Sequence, residues 1–181
     1  MTKYLQILFM AILIAGCKSP EARRPVTVKS GSFIKKSAER NIKLNQKEKA
    51  QIEAVMERWP EHDYIASESG FWYYYNTKIE GDSLTPQFGN LVNFDYNVKN
   101  LNGGIIYTKE ELGNQDYAMD QEELFTGLRE GLKLMKAGET VTFLFPSQKA
   151  YGYYGDTNRI GTSVPLICQV TVNSITQTQN D

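Results

Sequence analysis

The stretch "LFTGLREGLKLMKAGETVTFLFPSQKAYGYYG", residues 124–155, joins a helical pattern, an apolar strand pattern and a loop rich in glycine and tyrosine. Apolar residues recur in its first half at three- and four-residue spacing, and this predicts a short helix within residues 122–139. The residues on this face are Leu124, Leu128, Leu132 and Met135. Gly127 and Gly131 lie four residues apart and lack side chains, so they predict that the helix packs closely on a sheet.

Four other segments have strand patterns. Residues 90–100 alternate, and the apolar set predicted to face the core is Val92, Phe94, Tyr96 and Val98. Residues 70–76, 139–146 and 164–175 are rich in aromatic and β-branched residues. Residues 108–122 give no clear prediction. The order of helix, several antiparallel strands, one short helix and two strands predicts an α+β domain whose sheet closes over a single helix.

An amphipathic helix is predicted at residues 45–60. Its apolar stripe consists of Ile52, Val55, Met56 and Trp59. Asn45 would be the N-cap, with Glu48 completing a capping box, and Pro60 would end the helix. The stripe favours packing against the domain, with a partner-binding or dimer face as the alternative.

The N-terminus has the features of an export signal. The apolar run Tyr4–Gly16 follows Lys3 and is too short to span a bilayer, so residues 1–16 are predicted to be a signal peptide. Its end, "LIAGCKS", resembles the lipobox of bacterial lipoproteins. That resemblance implies a lipid-bearing Cys17 as the mature N-terminus and as the attachment to the membrane. Plain secretion with cleavage near Gly16 is the alternative.

Residues 17–44 are predicted to be a flexible basic tether. Residues 18–49 contain ten Lys or Arg and three Asp or Glu, and they show no clear apolar period. This charge would favour an anionic membrane surface or an acidic partner, and a merely solvated tail is the alternative. The rest of the mature chain has an acidic excess, which disfavours nucleic-acid binding.

Few residues offer conventional acid–base or metal chemistry. One histidine, His62, and two cysteines provide no metal-binding cluster, and no phosphate loop or nucleophile elbow occurs. No cofactor is therefore expected. If Cys17 carries lipid, Cys168 has no disulfide partner, and its apolar strand context predicts a small buried side chain.

Residues 67–176 resemble the FKBP-type peptidyl-prolyl isomerases, which leaves residues 177–181 as a C-terminal tail. The matching residues are Gly127, Glu130, Gly131, Met135, Gly138, Glu139, Pro146, Ser147, Ala150, Tyr151, Gly152 and Gly155, with Gly70, Pro86, Gly89, Val92 and Tyr96 upstream. The resemblance implies an antiparallel half-barrel of five or six strands around one short helix, here with an extra N-terminal helix. It also implies catalysis of X–Pro cis–trans isomerisation in proline-containing client polypeptides.

The export signal combined with this domain is similar to the gliding-motility-associated FKBP-type lipoproteins of Bacteroidetes. This similarity implies a protein anchored by lipid in the cell envelope, and the residue after Cys17 favours the outer membrane, facing the periplasm. Its clients would then be exported proteins, and a role in motility or secretion machinery is a further expectation from this similarity.

The resemblance also implies site residues. Tyr151 would donate its hydroxyl to a substrate carbonyl, and the ring of Tyr96 would form one side of the pocket. Leu124 and Phe125 would enter the helix, where the backbone N–H of Phe125 would bind another substrate carbonyl. Ile160 would close the loop over the proline.

Four further positions depart from the family pattern. Leu128 and Cys168 take the places of larger aromatic residues in the pocket floor. Ile106 and Tyr107 align with a Phe-Asp pair, so the family's aspartate is expected to be lost. These departures imply weak to moderate isomerase activity, and the alternative is a chaperone or binding module that keeps the fold.

Overall fold

The computed structural model describes residues 30–81 and 84–177, and the bounds below refer to these. All the described strands lie within one compact unit that begins at Glu39. In chain order the elements are α1 (Ser30–Arg58), β1 (Ile65–Ala66), β2 (Trp72–Thr77), β3 (Leu91–Asn100), β4 (Ile105–Tyr107), α2 (Lys109–Leu112), β5 (Gln115–Ala118), α3 (Thr126–Leu132), β6 (Thr140–Phe145), a 3-10 turn (Ser147–Lys149) and β7 (Leu166–Thr176).

The strands form one antiparallel sheet in the order β1-β2-β6-β7-β3-β4, with β5 pairing beside β4 on the same edge of β3. The longest ladder joins β3 to β7, from Leu91 opposite Thr176 to Asn100 opposite Leu166. The predicted α+β fold is therefore confirmed. The sheet has seven strands because two very short ones, β1 and β4, extend its edges.

The inner face of the sheet forms the main core with α3. The alternation predicted for β3 is confirmed, since Val92, Phe94, Tyr96 and Val98 are all buried. The two glycines of α3 explain its position. A Cβ at Gly127 would lie 2.6 Å from the Lys149 carbonyl oxygen, and one at Gly131 would lie 2.9 Å from the Phe143 ring. Only glycine allows the helix to approach the strand and turn this closely.

The outer face of the sheet is covered by α1. Ile52 and Val55 are buried against Leu144 of β6 and Ile167 of β7, and Met56 and Trp59 pack beside them. The predicted stripe is therefore a packing face for the domain. The helix ends at Arg58, since Trp59 precedes Pro60 and that position disfavours the helical backbone.

The N-terminal boundary of α1 differs from the prediction. The helix begins at Ser30 and not at Asn45, so residues 30–44 of the expected flexible tether are helical. After Gly31 this segment contains neither glycine nor proline, and seven of the thirteen residues 32–44 are Lys, Ala, Glu, Arg or Leu, which favour a helix. Extending a helix that is already packed avoids the cost of nucleation. Glu48 consequently lies inside the helix, and it forms no capping box with Asn45.

Residues 108–122, which gave no clear prediction, contain α2 and β5. Thr108 caps α2 in a capping box with Glu111, and the helix is only four residues long. Such a short element leaves no room for a repeating apolar pattern, which is why the sequence did not reveal it.

Gly127→Ala is expected to lower the free energy of unfolding by about 1–3 kcal/mol, because the new methyl group overlaps backbone that cannot easily move. Helix propensity alone predicts the opposite change, a gain of about 1 kcal/mol. Urea unfolding followed by circular dichroism measures the difference. Gly161→Ala is the matched control, since its Cβ would have only Val164 nearby, at 4.0 Å. Equal stability of the two variants would contradict the packing argument.

Candidate functional site

A surface cleft of about 680 Å³ lies between α3, β3 and the loop after the 3-10 turn. It is lined by Tyr96, Gln115, Glu122, Glu123, Leu124, Phe125, Arg129 and Tyr151. Four of the predicted site residues, Tyr96, Leu124, Phe125 and Tyr151, are thus brought together from three separate segments. The cleft combines aromatic walls with a rim of carboxylate, amide and guanidinium groups.

Tyr96 and Tyr151 place two phenol groups at the cleft in a poorly solvated environment. Burial raises the pKa of Tyr96 to about 12, although the Tyr151 hydroxyl beside it acts in the opposite direction. Burial also raises the pKa of Tyr151, and the neighbouring Tyr96 adds to this shift. Both hydroxyls therefore stay protonated at neutral pH and are able to donate hydrogen bonds. In such surroundings a hydrogen bond is stronger than in water.

Leu124 and Phe125 lie where the chain enters α3. Phe125 is the N-cap residue, with an extended backbone (φ −61°, ψ 141°), and its carbonyl accepts hydrogen bonds from Leu128 and Arg129. Its ring packs at 5.1 Å from the Tyr151 ring and at 5.5 Å, edge to face, from the Phe145 ring. These contacts fix Phe125 and Tyr151 as one aromatic wall.

Leu128, Ile160 and Cys168 lie in the core and do not line the cleft. Leu128 and Cys168 are fully buried, and Ile160 is 3% exposed. Cys168 is a free thiol whose pKa is raised by burial, as expected for an apolar environment. All three side chains belong to the buried core cluster against which Phe125 and Tyr151 pack, so substrate contact by them remains a prediction.

Ile106 and Tyr107 lie on β4, partly buried against the core and outside the cleft lining. The Tyr107 hydroxyl donates a hydrogen bond to the Asp156 carboxylate. Asp156 follows Gly155 in the loop between the 3-10 turn and β7, so the loop supplies a carboxylate beside the position where the family pattern has an aspartate. This contact was missed because residues 107 and 156 are far apart in the sequence.

Asp156 also organises its own loop. Its Oδ1 accepts hydrogen bonds of 2.8 Å from the backbone amides of Asn158 and Ile160. Burial alone would raise the pKa of the Asp156 carboxyl, but these bonds and the Tyr107 hydroxyl hold it below its usual range. One carboxylate thereby connects β4 to the segment that carries Ile160.

Arg159 provides a second connection between β4 and the loop that precedes β7. Its guanidinium donates to the Ile106 carbonyl at 2.8 Å, pairs with Glu111 of α2 at 2.9 Å and stacks 4.9 Å above the Tyr107 ring. Arg159 and Asp156 together hold the loop over the edge of the sheet. Asp156 and Arg159 flank the turn residues 157–158, and this pair of opposite charges is the sequence signal that could have indicated their role in holding the loop.

Within residues 30–81 and 84–177 no group of three or more His, Cys, Asp or Glu side chains is arranged to hold a metal ion. His62 stacks on Tyr74 at 3.9 Å between ring centroids. None of the helices in these same ranges has the length and apolar character needed to cross a bilayer. Cys17 lies outside the described residues.

Comparison with known proteins identifies the domain. A family model for FKBP-type peptidyl-prolyl cis-trans isomerase matches residues 83–173. A crystal structure of a peptidyl-prolyl cis-trans isomerase from Pseudomonas syringae pv. tomato aligns with a TM-score of 0.55 and 19% identity over 71% of this chain and 96% of that one. The structure of FkpA from Escherichia coli aligns with a TM-score of 0.60 and 17% identity over 98% of this chain and 83% of that one. A search of curated proteins found no match.

Asp156→Asn is expected to reduce stability at neutral pH and to make unfolding less sensitive to acid. The pKa of Asp156 is lowered in the folded state, so its carboxylate stabilises the fold above the unfolded-state pKa of about 3.9. That contribution is lost as the pH falls through the lower folded-state pKa. Urea unfolding at several pH values measures the free energy of unfolding. The difference in this free energy between wild type and variant should be largest near neutral pH.

The control is Asp63→Asn, which removes an exposed carboxylate away from the cleft. It should leave the pH profile of unfolding close to that of the wild type. If the free energies of unfolding of Asp156→Asn and wild type differ by the same amount at every pH, the predicted role of the Asp156 charge is contradicted.

Proposed function

Because the chain belongs to the FKBP-type peptidyl-prolyl cis-trans isomerase family, we propose that it catalyses rotation about X–Pro bonds in exported client proteins. Uncatalysed rotation has a barrier of about 18–20 kcal/mol, because twisting the bond removes amide resonance. The reaction neither makes nor breaks a covalent bond. A site for it requires shape, exclusion of water and hydrogen-bond donors, but no acid or base.

The observation that carries the proposal is the pair of poorly solvated tyrosine hydroxyls at an aromatic cleft. A planar amide is more polar than a twisted one, so moving it from water to an apolar wall disfavours the planar state more than the twisted state. The difference lowers the barrier, because only interactions that are stronger in the transition state increase the rate.

Within this mechanism the rings of Tyr96, Phe125 and Tyr151 would enclose the proline, and the Tyr151 hydroxyl would donate to a substrate carbonyl. The backbone N–H of Phe125, at the start of α3, would hold a second carbonyl. Fixing both carbonyls orients the peptide on either side of the rotating bond. Leu128, Ile160 and Cys168 would act by supporting this wall and closing the loop, with Ile106 and Tyr107 at its edge.

The alternative proposal, a chaperone or binding module, is favoured by one feature of the loop. Tyr153 is 73% exposed and Tyr154 is 85% exposed, and their rings pack edge to face at 5.4 Å. An exposed aromatic pair in the same loop as Tyr151 could hold an unfolded chain without twisting any bond. The small floor residues, Leu128 and Cys168, are consistent with slow turnover.

Tyr151→Phe is expected to lower kcat/KM for a proline tetrapeptide about fivefold, the effect of losing one hydrogen bond of about 1 kcal/mol. A protease-coupled assay on the full chain measures it. Tyr154→Phe is the matched control and should leave the rate unchanged, since that side chain is exposed. Turnover no faster than buffer, combined with suppressed aggregation of an unfolded client, would exclude the isomerase proposal and favour the binding module.

We further propose that Cys17 carries lipid and anchors the protein in the cell envelope, with the outer membrane facing the periplasm as the predicted location. The support is the apolar run that ends at "LIAGCKS". Two or more acyl chains suffice for stable anchoring, and a lipid-modified N-terminal cysteine supplies them. A link to motility or secretion machinery stays a prediction from the sequence.

Cys17→Ser is expected to abolish incorporation of a palmitate analogue and to release the protein from the membrane fraction. Cys168→Ser should keep both properties, because that thiol is fully buried in the core. Labelling of Cys17→Ser at the wild-type level would refute the lipid anchor. Metabolic labelling followed by fractionation of the envelope distinguishes these outcomes.

A further inference from the structure

The strongest unexplained feature outside the cleft is a buried carboxylate on α1. Glu48 is 2% exposed and has two close partners, both in Ser147. The Ser147 backbone amide donates to Glu48 Oε2 at 2.8 Å, and the Ser147 hydroxyl donates to Oε1 at 2.7 Å. A buried charge is costly unless it is hydrogen-bonded, and two charge-assisted bonds to one residue fix both its position and its orientation.

Ser147 is the first residue of the 3-10 turn, whose N-cap, Pro146, provides no side-chain hydrogen bond. Glu48 therefore supplies the cap from another element of the fold. The Ser147 carbonyl in turn accepts hydrogen bonds from Ala150 at 3.0 Å and Gly152 at 2.8 Å. These two amides directly flank Tyr151, so Ser147 determines where the backbone of that residue lies.

The turn also packs closely against α3. The Lys149 carbonyl oxygen lies so close to α3 that a Cβ at Gly127 would be 2.6 Å away. The turn is thus held both by its packing on α3 and by the Glu48 hydrogen bonds. Without the Glu48 bonds, its remaining freedom is to move away from α3, and Tyr151 would move with it.

We propose that Glu48 is a positioning residue for Tyr151, acting through Ser147 to aim the Tyr151 hydroxyl at the cleft. This inference rests on the proposed isomerase function. It gives α1, which lies outside the matched residues 83–173, a direct influence on the site in addition to covering the sheet. The partner of the carboxylate lies 99 positions away in the sequence, so the sequence alone did not indicate it.

The test is a double-mutant cycle on the full chain with Glu48→Gln and Tyr151→Phe. Glutamine keeps the shape of the side chain but removes its charge, so its oxygen accepts one neutral hydrogen bond from Ser147 and its NH2 group can only donate to the Ser147 hydroxyl oxygen, which weakens both charge-assisted contacts. Glu48→Gln is expected to lower kcat/KM about fivefold, as Tyr151→Phe does, and the double variant should lose no more than either single variant. Assays run well below the measured Tm of each variant separate this effect from unfolding.

Glu53→Gln is the control, because Glu53 lies on the same helix, is half exposed and pairs only with Lys49 at 3.7 Å among its described contacts. It should keep wild-type kinetics. If the reductions in kcat/KM caused by Glu48→Gln and Tyr151→Phe multiply in the double variant, the two residues act independently and the proposal is overturned. If Glu48→Gln does not fold, Ser147→Ala takes its place in the cycle, since it removes only the hydroxyl partner.

A second readout does not depend on turnover. In protein labelled with 3-fluorotyrosine, the ¹⁹F resonance of Tyr151 is assigned by its absence in Tyr151→Phe. It should shift in Glu48→Gln and stay in place in Glu53→Gln. An unmoved Tyr151 resonance would overturn the positioning role. Absence of turnover in the wild type, by contrast, would refute the proposed function and leave the resonance to decide the position of Tyr151.

Discussion

The close approach of α3 to β6 and to the 3-10 turn is the constraint on which the rest of the structure depends. Two glycines one helical turn apart remove the side chains that would separate the layers, and Phe143 and the Lys149 carbonyl occupy the space. The approach brings Phe125 at the helix start against Phe145 and Tyr151. The aromatic wall of the cleft is therefore a direct product of helix packing.

Much of the fold could be predicted because its longer elements carry a strong periodic pattern. The alternation in β3 gave the correct inner face, and the stripe on α1 gave its packing face. The start of α1 was predicted wrongly, because residues 30–44 show no clear apolar period although their intrinsic propensity favours a helix. Short elements such as α2 and β5 depend on capping and ladder contacts and have too few residues to show a period.

The candidate site could be predicted in part for a different reason. Tyr96, Leu124, Phe125 and Tyr151 do meet at one cleft, but which residues hold that cleft in place depends on contacts between distant segments. Asp156 reaches Tyr107, and Glu48 reaches Ser147, across gaps in sequence that no local pattern encodes. Family likeness indicates which side chains face a substrate, whereas the groups that fix their positions emerge only from the packed structure.

The strand order has a consequence for how this chain acquires its structure. β2 pairs with β6 and β3 pairs with β7, so the residues paired in these two ladders are 63 to 85 positions apart in sequence. Loop closure over such distances is slow, and long-range pairing delays folding. During synthesis from the N-terminus, β3 is made well before β7, so its main pairing partner is complete only when Thr176 has been added. A proposed folding assistant would thus itself be incomplete, with open backbone donors and acceptors along β3, until β7 has been synthesised.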